Sequence, residues 1–161
     1  MNPSDLDPNE YIPVLTLLKQ IDFLETVPEP EMKNILFSLQ KQVFGAGKTI
    51  LFQGEIANRL FIIRKGAVSI TTKNKGQKIT LANLNAPMYF GEISLLRPTS
   101  ATATATAGDD GADLVILTHD AMSAISKKIP DIQTRIQKVI DNRIASKQKA
   151  KEADDTKNES N

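Results

Sequence analysis

The apolar positions change their spacing twice along the chain, and these changes divide it into three parts. From residue 11 to about residue 43 they recur at the three- and four-residue intervals of a helix face. The first stripe is Val14, Leu17, Leu18 and Ile21, and the second is Met32, Ile35, Leu36 and Leu39. Pro28 and Pro30 suit the start of the second helix. Residues 1–10 carry two prolines and three acids, and they predict a disordered arm.

From residue 44 to residue 117 the pattern of apolar residues and glycines is typical of short β-strands. Glycines separate apolar and β-branched runs at 50–52, 60–64, 67–73 and 114–117. The sequence NKGQ at 74–77 predicts a hairpin turn, because Gly76 is free to adopt a positive φ. These features predict an antiparallel β-roll resembling a double-stranded jelly roll.

Helical spacing returns over residues 118–146. Thr118 is a predicted N-cap, and Pro130 is suited to the start of a second helix. That helix carries one apolar stripe, formed by Ile132, Ile136, Val139, Ile140 and Ile144. Residues 147–161 are polar and predict a disordered tail. The predicted fold is therefore a single α+β domain over 11–146, mainly β, with N-terminal helices and two C-terminal helices.

Composition narrows the function classes. The net charge of +1 gives no global case for nucleic-acid binding, and the absence of cysteine excludes disulfides and thiolate chemistry. The single histidine, His119, has no motif linking it to a nucleophile, so we expect no catalytic residue and no metal site. No apolar run approaches the ~20 residues of a membrane span. A cytoplasmic, non-enzymatic protein is expected.

Several motifs, in order, carry a family resemblance. They are FGAG at 44–47, QGE at 53–55, LFIIRKGAVSI at 60–70, FGEISLL at 90–96 and LVILTHDAMSAI at 114–125. Together they resemble the cyclic-nucleotide-binding domain of catabolite activator proteins and of protein kinase A regulatory subunits, over roughly residues 15–146. The resemblance implies structural turn glycines at Gly47, Gly54 and Gly66.

The resemblance also implies a phosphate-binding cassette beginning at Phe90. Gly91 matches the glycine that lets backbone approach the ligand, and Glu92 matches the acid that accepts from the ribose 2′-hydroxyl. The following short helix would direct its N–H groups at the phosphate. The candidate ligand-binding residues are Phe90, Gly91, Glu92, Ile93, Ser94, Arg97, Ser100, Ala101, Thr102 and Thr104. The implied ligand is cyclic AMP or cyclic GMP.

The cassette departs from the family where an arginine should pair with the phosphate. An ungapped reading places Ala101 there, with Thr104 at the family threonine, and a shorter loop would place Thr99 there. Arg97 would leave the carbonyl end of the short helix, away from the phosphate. Losing a forked guanidinium pair costs about 3–4 kcal/mol, which weakens a micromolar ligand to roughly millimolar. Hydroxyls of Ser100, Thr102 or Thr104 bring no formal charge.

The alternation from Ser100 to Ala107 predicts a half-buried strand with hydroxyls on one face and alanines on the other. The alanine face would allow close approach by another element, such as the last helix. A hydroxyl-lined ligand site is the alternative. The sequence GDDGAD at 108–113 is expected to be a turn, and it lacks the terminal glutamate of a calcium loop.

These observations lead to two functional hypotheses. The first is a stand-alone regulatory domain with weak or lost binding of cyclic mononucleotides, acting through a protein partner. The second is a genuine sensor of cyclic AMP, cyclic GMP or another small ligand, with a non-standard phosphate site. The stripe of the last helix would either pack on the roll or pair two protomers as a homodimer. We expect no membrane association, and no DNA-binding domain in a chain that ends at Asn161.

Overall fold

The computed structural model describes residues 6–25, 27–142 and residue 145, and it has the predicted fold class. A short 3-10 helix, Pro8–Glu10, leads into α1, Tyr11–Lys19, and α2 covers Glu29–Ser38. The strands are β1 Gln40–Phe44, β2 Thr49–Leu51, β3 Ile56–Ala57, β4 Arg59–Asn74, β5 Gln77–Asn85, β6 Tyr89–Phe90, β7 Thr99–Ser100 and β8 Thr104–Thr118. Helix α3 is Glu92–Leu96, α4 is His119–Lys128, and α5 occupies 132–142.

Two boundaries at the N-terminal end differ from the prediction. Residues 40–43 belong to β1 rather than to a helix, because the chain becomes extended at Leu39 and pairs with β8. Residues 6–10, predicted to be part of a disordered arm, are packed. Leu6 is buried, and Glu10 forms ion pairs with Lys41 and Arg64.

The long strands β4 and β8 pair antiparallel and organise the roll. Strand β8 also pairs with β1 and β2, while β4 also pairs with β5 and β6. Strands β3 and β7 form a separate two-stranded sheet. The hairpin between β4 and β5 turns at Lys75 and Gly76, both at positive φ, as the sequence predicted for Gly76. The runs predicted at 60–64 and 67–73 are one continuous strand rather than two.

The long strands pack differently at their two ends. In the two-sided segment, residues 60–63 and 114–117, apolar side chains cover both faces. Leu60 and Ile62 join a helical cluster that contains residues of all the long helices, while Phe61 and Ile63 fill the roll interior. In the one-sided segment, residues 68–72 and 104–107, only the interior face is apolar.

The motif GDDGAD at 108–113 does not form the predicted turn. It lies within β8 as an irregular stretch, where the pairing jumps from Gly66↔Ala112 to Val68↔Ala107. A Cβ on Gly66 would lie 2.3 Å from the Gly111 carbonyl oxygen, and Gly66 has a φ of +83°. The predicted turn glycine is therefore a point of close backbone contact inside one bent strand.

Helix α4 begins as predicted, with the Thr118 hydroxyl accepting a hydrogen bond from the Ala121 N–H. The apolar stripe of α5 packs within the protomer, because Ile132, Ile136 and Ile140 are buried in the helical cluster. The same cluster contains Leu60 and Val115 of the roll strands, so this stripe packs over the outer face of the roll. The remaining stripe member, Ile144, and the predicted tail 147–161 lie outside the described residues. None of the described helices is long and apolar enough to cross a membrane.

Candidate functional site

The first half of the cassette is built from β6, Gly91 and α3. Gly91 is the N-cap of α3 and has a φ of +90°. A Cβ at this position would lie 2.5 Å from the Arg59 carbonyl oxygen of β4. Glycine is required here by both its φ and the approach of the neighbouring strand. Glu92 opens the first turn of α3 and is half-buried.

Side chains of α3 divide between core and surface. Ser94 is buried, and Leu95 is fully buried in the helical cluster. Ile93, one of the candidate ligand residues, is 50% exposed. Arg97 caps the carbonyl end of α3 as predicted.

Phe90 points into the roll interior. Its ring stacks on that of Phe61 with centroids 4.8 Å apart and planes 10° apart. The guanidinium of Arg59 lies over the Phe61 ring, 5.2 Å from its centroid. The structure thus brings Arg59 to the start of the cassette, where no sequence motif predicted a cation.

The second half of the cassette returns along β3. Ala101 donates its N–H to the Glu55 carbonyl and accepts from the Gly54 N–H, both at 2.8 Å. Its methyl packs against the apolar roll interior. Thr99 and Ser100 are exposed on β7, and Thr102 is also exposed. Of the two positions considered for the missing arginine, only Ala101 contacts the roll interior.

Thr104 lies on the opposite side of the sheet from Ala101. Its hydroxyl accepts the Gln53 N–H at 2.9 Å, and it lines a cavity on the outer face. The predicted alternation holds from 104 to 107, where Ala105 and Ala107 are buried and the threonines are half-buried. It does not extend through 101–103, which lie between β7 and β8. The alanines face the roll interior rather than the last helix.

Arg97 and α5 form the walls of an open cleft of about 540 Å³. Its lining residues are Leu96, Arg97, Gln133, Thr134, Gln137, Lys138 and Asp141. Arg97 is exposed on this side of α3, away from Gly91.

Two hydrogen bonds hold the cassette to helical parts of the chain. Tyr89 donates its hydroxyl to Asp22 Oδ1 at 2.7 Å, just before the cassette begins. His119 Nδ1 lies 2.7 Å from the Leu95 carbonyl oxygen, which can only accept, so Nδ1 carries the proton. His119 thus links the start of α4 to the end of α3. The sequence contained no local signal for either bond, since the partners are 67 and 24 residues apart.

Arg64 is occupied by two carboxylates. It donates to Glu10 at 2.9 Å and to Asp113 at 2.8 Å. Burial disfavours its charge, but these hydrogen bonds more than compensate and raise the pKa of Arg64. Hydrogen bonds from Lys41, the Asp7 N–H and Arg64 lower the pKa of Glu10 to about 2. Arg64 is thus a structural cation at the junction of the two segments of β4.

The other predicted turn glycines lie in loops beside the sheet. Gly47 has a φ of +72°, and its N–H donates to the Ala107 carbonyl. Gly54 has a φ of +89° and binds Ala101, so its turn supports the second half of the cassette.

The comparisons with known proteins agree with this architecture. The cyclic AMP receptor protein of Thermus thermophilus is 32% identical over 103 residues, covering 63% of this chain and 47% of the relative. A cAMP-dependent protein kinase regulatory subunit of Schizosaccharomyces pombe is 30% identical over 92 residues, covering 57% of this chain and 22% of the relative. This chain therefore spans less than half the length of either relative.

Solved structures give the same fold. The crystal structure of the Thermus thermophilus catabolite activator protein superposes with a TM-score of 0.74 at 24% identity, covering 82% of this chain and 62% of that one. The regulatory domain of Toxoplasma gondii PKA with cAMP superposes with a TM-score of 0.70 at 21% identity, covering 74% of this chain and 46% of that one. The family profile described as cyclic nucleotide-binding domain matches residues 41–128. This match spans more than half of the chain, which belongs to the cyclic nucleotide-binding domain family.

Proposed function

We propose that the chain is a non-enzymatic, cytoplasmic regulatory domain whose binding of cyclic mononucleotides is weak or lost, and that it acts through a protein partner. The observation that carries the proposal is the position of Ala101. Its methyl group lies against the roll interior, at the point where the family resemblance calls for an arginine. A methyl group can neither neutralise nor hydrogen-bond a phosphate.

Several nearby cations are poorly placed to replace that arginine. Arg97 lies at the carbonyl end of α3 and faces the cleft with α5. Arg64 is paired with Glu10 and Asp113. Lys65 is exposed beyond the two-sided segment. A phosphate at the start of α3 would therefore lack the forked, charge-assisted pair that contributes about 3–4 kcal/mol.

A second function, that of a genuine sensor, is favoured by one observation. Arg59 lies on the Phe61 ring, and its own carbonyl oxygen borders Gly91. A modest swing of this half-buried side chain would bring a cation toward the cassette. In this case Arg59 takes the role that the family gives to the missing arginine.

Calorimetric titration of the full chain with cyclic AMP and cyclic GMP separates the two functions. We expect a dissociation constant of about 1 mM or weaker. The variant Ala101→Arg should tighten binding by about a hundredfold to a thousandfold, because it restores two charge-assisted hydrogen bonds. The matched control Thr99→Arg adds the same charge on exposed β7 and should change little.

Micromolar binding by the unchanged chain would overturn the first proposal and support the sensor. In that event Arg59→Gln should abolish the affinity. If Ala101→Arg folds, as judged by circular dichroism, and still binds neither nucleotide, the pocket differs from the family by more than one residue.

The proposed function also includes a protein partner, and the packing of α5 bears on what that partner is. Because α5 buries Ile132, Ile136 and Ile140 in its own protomer, pairing through that stripe would require the helix to leave the core. We therefore propose a different protein as the partner rather than a second copy held by the α5 stripe. Sedimentation velocity at increasing concentration tests this point, and a dimer that the variant Ile136→Asn abolishes without unfolding would contradict it.

A further inference from the structure

The outer face of the one-sided segment carries a cavity that shares Thr104 alone with the candidate residues of the cassette. It is open to solvent and has a volume of about 780 Å³, within the range of small-molecule sites. The lining residues are Gly47, Thr49, Phe52, Gln53, Thr71, Lys73, Lys78, Thr104 and Thr106. Ala105 and Ala107 of the same strand face the roll interior, so the cavity is separated from that interior by the sheet.

The lining is suited to an oxyanion. Four threonine hydroxyls line the cavity, contributed by β2, β4 and β8, and Lys73 and Lys78 supply two positive charges. The lining includes no aspartate or glutamate. The neighbouring carboxylate of Glu55 accepts the Phe52 N–H at 3.0 Å. Gln53 accepts the Lys73 N–H through Oε1, which ties the loop carrying Phe52 to the edge of the site.

The two lysines are cross-strand neighbours. Lys73 and Lys78 are directly opposite across the β4–β5 pair, an arrangement that like charges disfavour. The sequence from residue 56 to residue 91 has six lysines and arginines and no acid. Ion pairs among the described residues involve Lys41 and Arg64, and none reaches Lys73 or Lys78. An anion between the two ammonium groups would relieve their repulsion.

Phe52 adds an apolar surface to this polar site. Its side chain is 61% exposed although it lines the cavity. A ligand that carries an aromatic or other flat apolar group beside its phosphate would cover that ring.

We propose that this outer cavity binds the phosphate monoester of a small organic molecule, with Lys73 and Lys78 holding the phosphate and Phe52 contacting the organic part. The proposal is independent of cyclic nucleotide binding at the cassette, since the two regions lie on opposite faces of the sheet. Lysines at the exposed end of a hairpin also discourage edge-to-edge pairing, and Lys78 lies on the edge strand β5. That role alone would make Lys73, Lys75 and Lys78 equivalent, whereas the cavity distinguishes the first and last from Lys75.

Nuclear magnetic resonance titration of the full chain with phenyl phosphate and with inorganic phosphate tests the proposal. We expect shifts of the Thr49, Thr71 and Thr106 amides that saturate below about 10 mM, with phenyl phosphate binding more tightly. Lys78→Gln should weaken binding by about threefold to tenfold, because one charge-assisted contact is lost. The matched control Lys75→Gln removes the same charge from the hairpin tip and should weaken binding by less than about twofold.

The aromatic contact has its own test. Phe52→Ala should remove the advantage of phenyl phosphate and leave the affinity for inorganic phosphate unchanged. Three outcomes would overturn the proposal: no saturable shift with either probe, equal losses for Lys78→Gln and Lys75→Gln, or binding of an acidic peptide where phenyl phosphate does not bind.

Discussion

Two segments of the same pair of strands differ in what covers their outer face. In the two-sided segment, Leu60 and Ile62 meet the helical cluster while Phe61 and Ile63 fill the roll. In the one-sided segment the outer face carries threonines and lysines around an open cavity. The same pair of strands is therefore a buried core element at one end and a solvent-facing surface at the other, so strand pairing alone does not determine which of the two a segment becomes. Where helices cover the outer face, the strand is buried on both sides and anchors the fold, and where they do not, the outer face is open to solvent.

The largest expected effect tests where the stability lies. Leu60→Ala empties a fully buried site in the two-sided segment and should cost about 2–5 kcal/mol of unfolding free energy. Leu84→Ala makes the same change on β5, beside the one-sided segment, where the side chain is only half-buried. It should cost less than about 2 kcal/mol. Urea unfolding measures both, and equal losses would contradict the comparison.

The second effect tests the bend between the segments. Gly66→Ala should cost about 2–4 kcal/mol, because a Cβ meets the Gly111 carbonyl oxygen and φ is positive. Gly76→Ala at the hairpin tip has a similar φ of +80° but an unobstructed Cβ. It should cost only about 1 kcal/mol. Thermal unfolding of the two variants separates steric contact from backbone strain, and similar melting temperatures would show that the close contact matters little.

The smallest effect concerns the ion pairs at the same junction. Because the folded pKa of Glu10 is about 2, below the ordinary glutamate pKa of 4.5, its charge stabilises the fold above pH 4.5. This contribution is lost as pH falls from 4.5 to about 2. The difference in melting temperature between the unchanged chain and Glu10→Gln should therefore shrink across that interval. Glu25→Gln, at an exposed position, is the control. A difference independent of pH would contradict the assignment.

The sequence was sufficient for the two-sided segment and for the order of elements. A continuous apolar run such as 60–63 is what a strand covered on both faces requires, and helical stripes flank it. The cassette start could also be predicted, because Gly91 and Glu92 stand in a recognisable local motif.

The features that the sequence did not predict depend on contacts between residues far apart in the chain. Alternation counted from Ser100 assumes an unbroken strand, but the chain leaves the sheet at 101–103, and only residues 104–107 keep the predicted pattern within β8. Glu10 and Arg64 are 54 residues apart, and nothing local to residues 6–10 indicated that they would pack. The nearness of Arg59 to Gly91 follows from strand pairing, which the sequence pattern did not specify.

The bonds at Tyr89 and Leu95 have a thermodynamic consequence. One links the cassette to Asp22, between α1 and α2, and the other links it to His119 at the start of α4. Helices from both ends of the described chain thus share a boundary with the same short segment. Coupling free energies are reciprocal, so any factor by which a cassette ligand changes the affinity of these helices for a partner is also the factor by which that partner changes the affinity for the ligand.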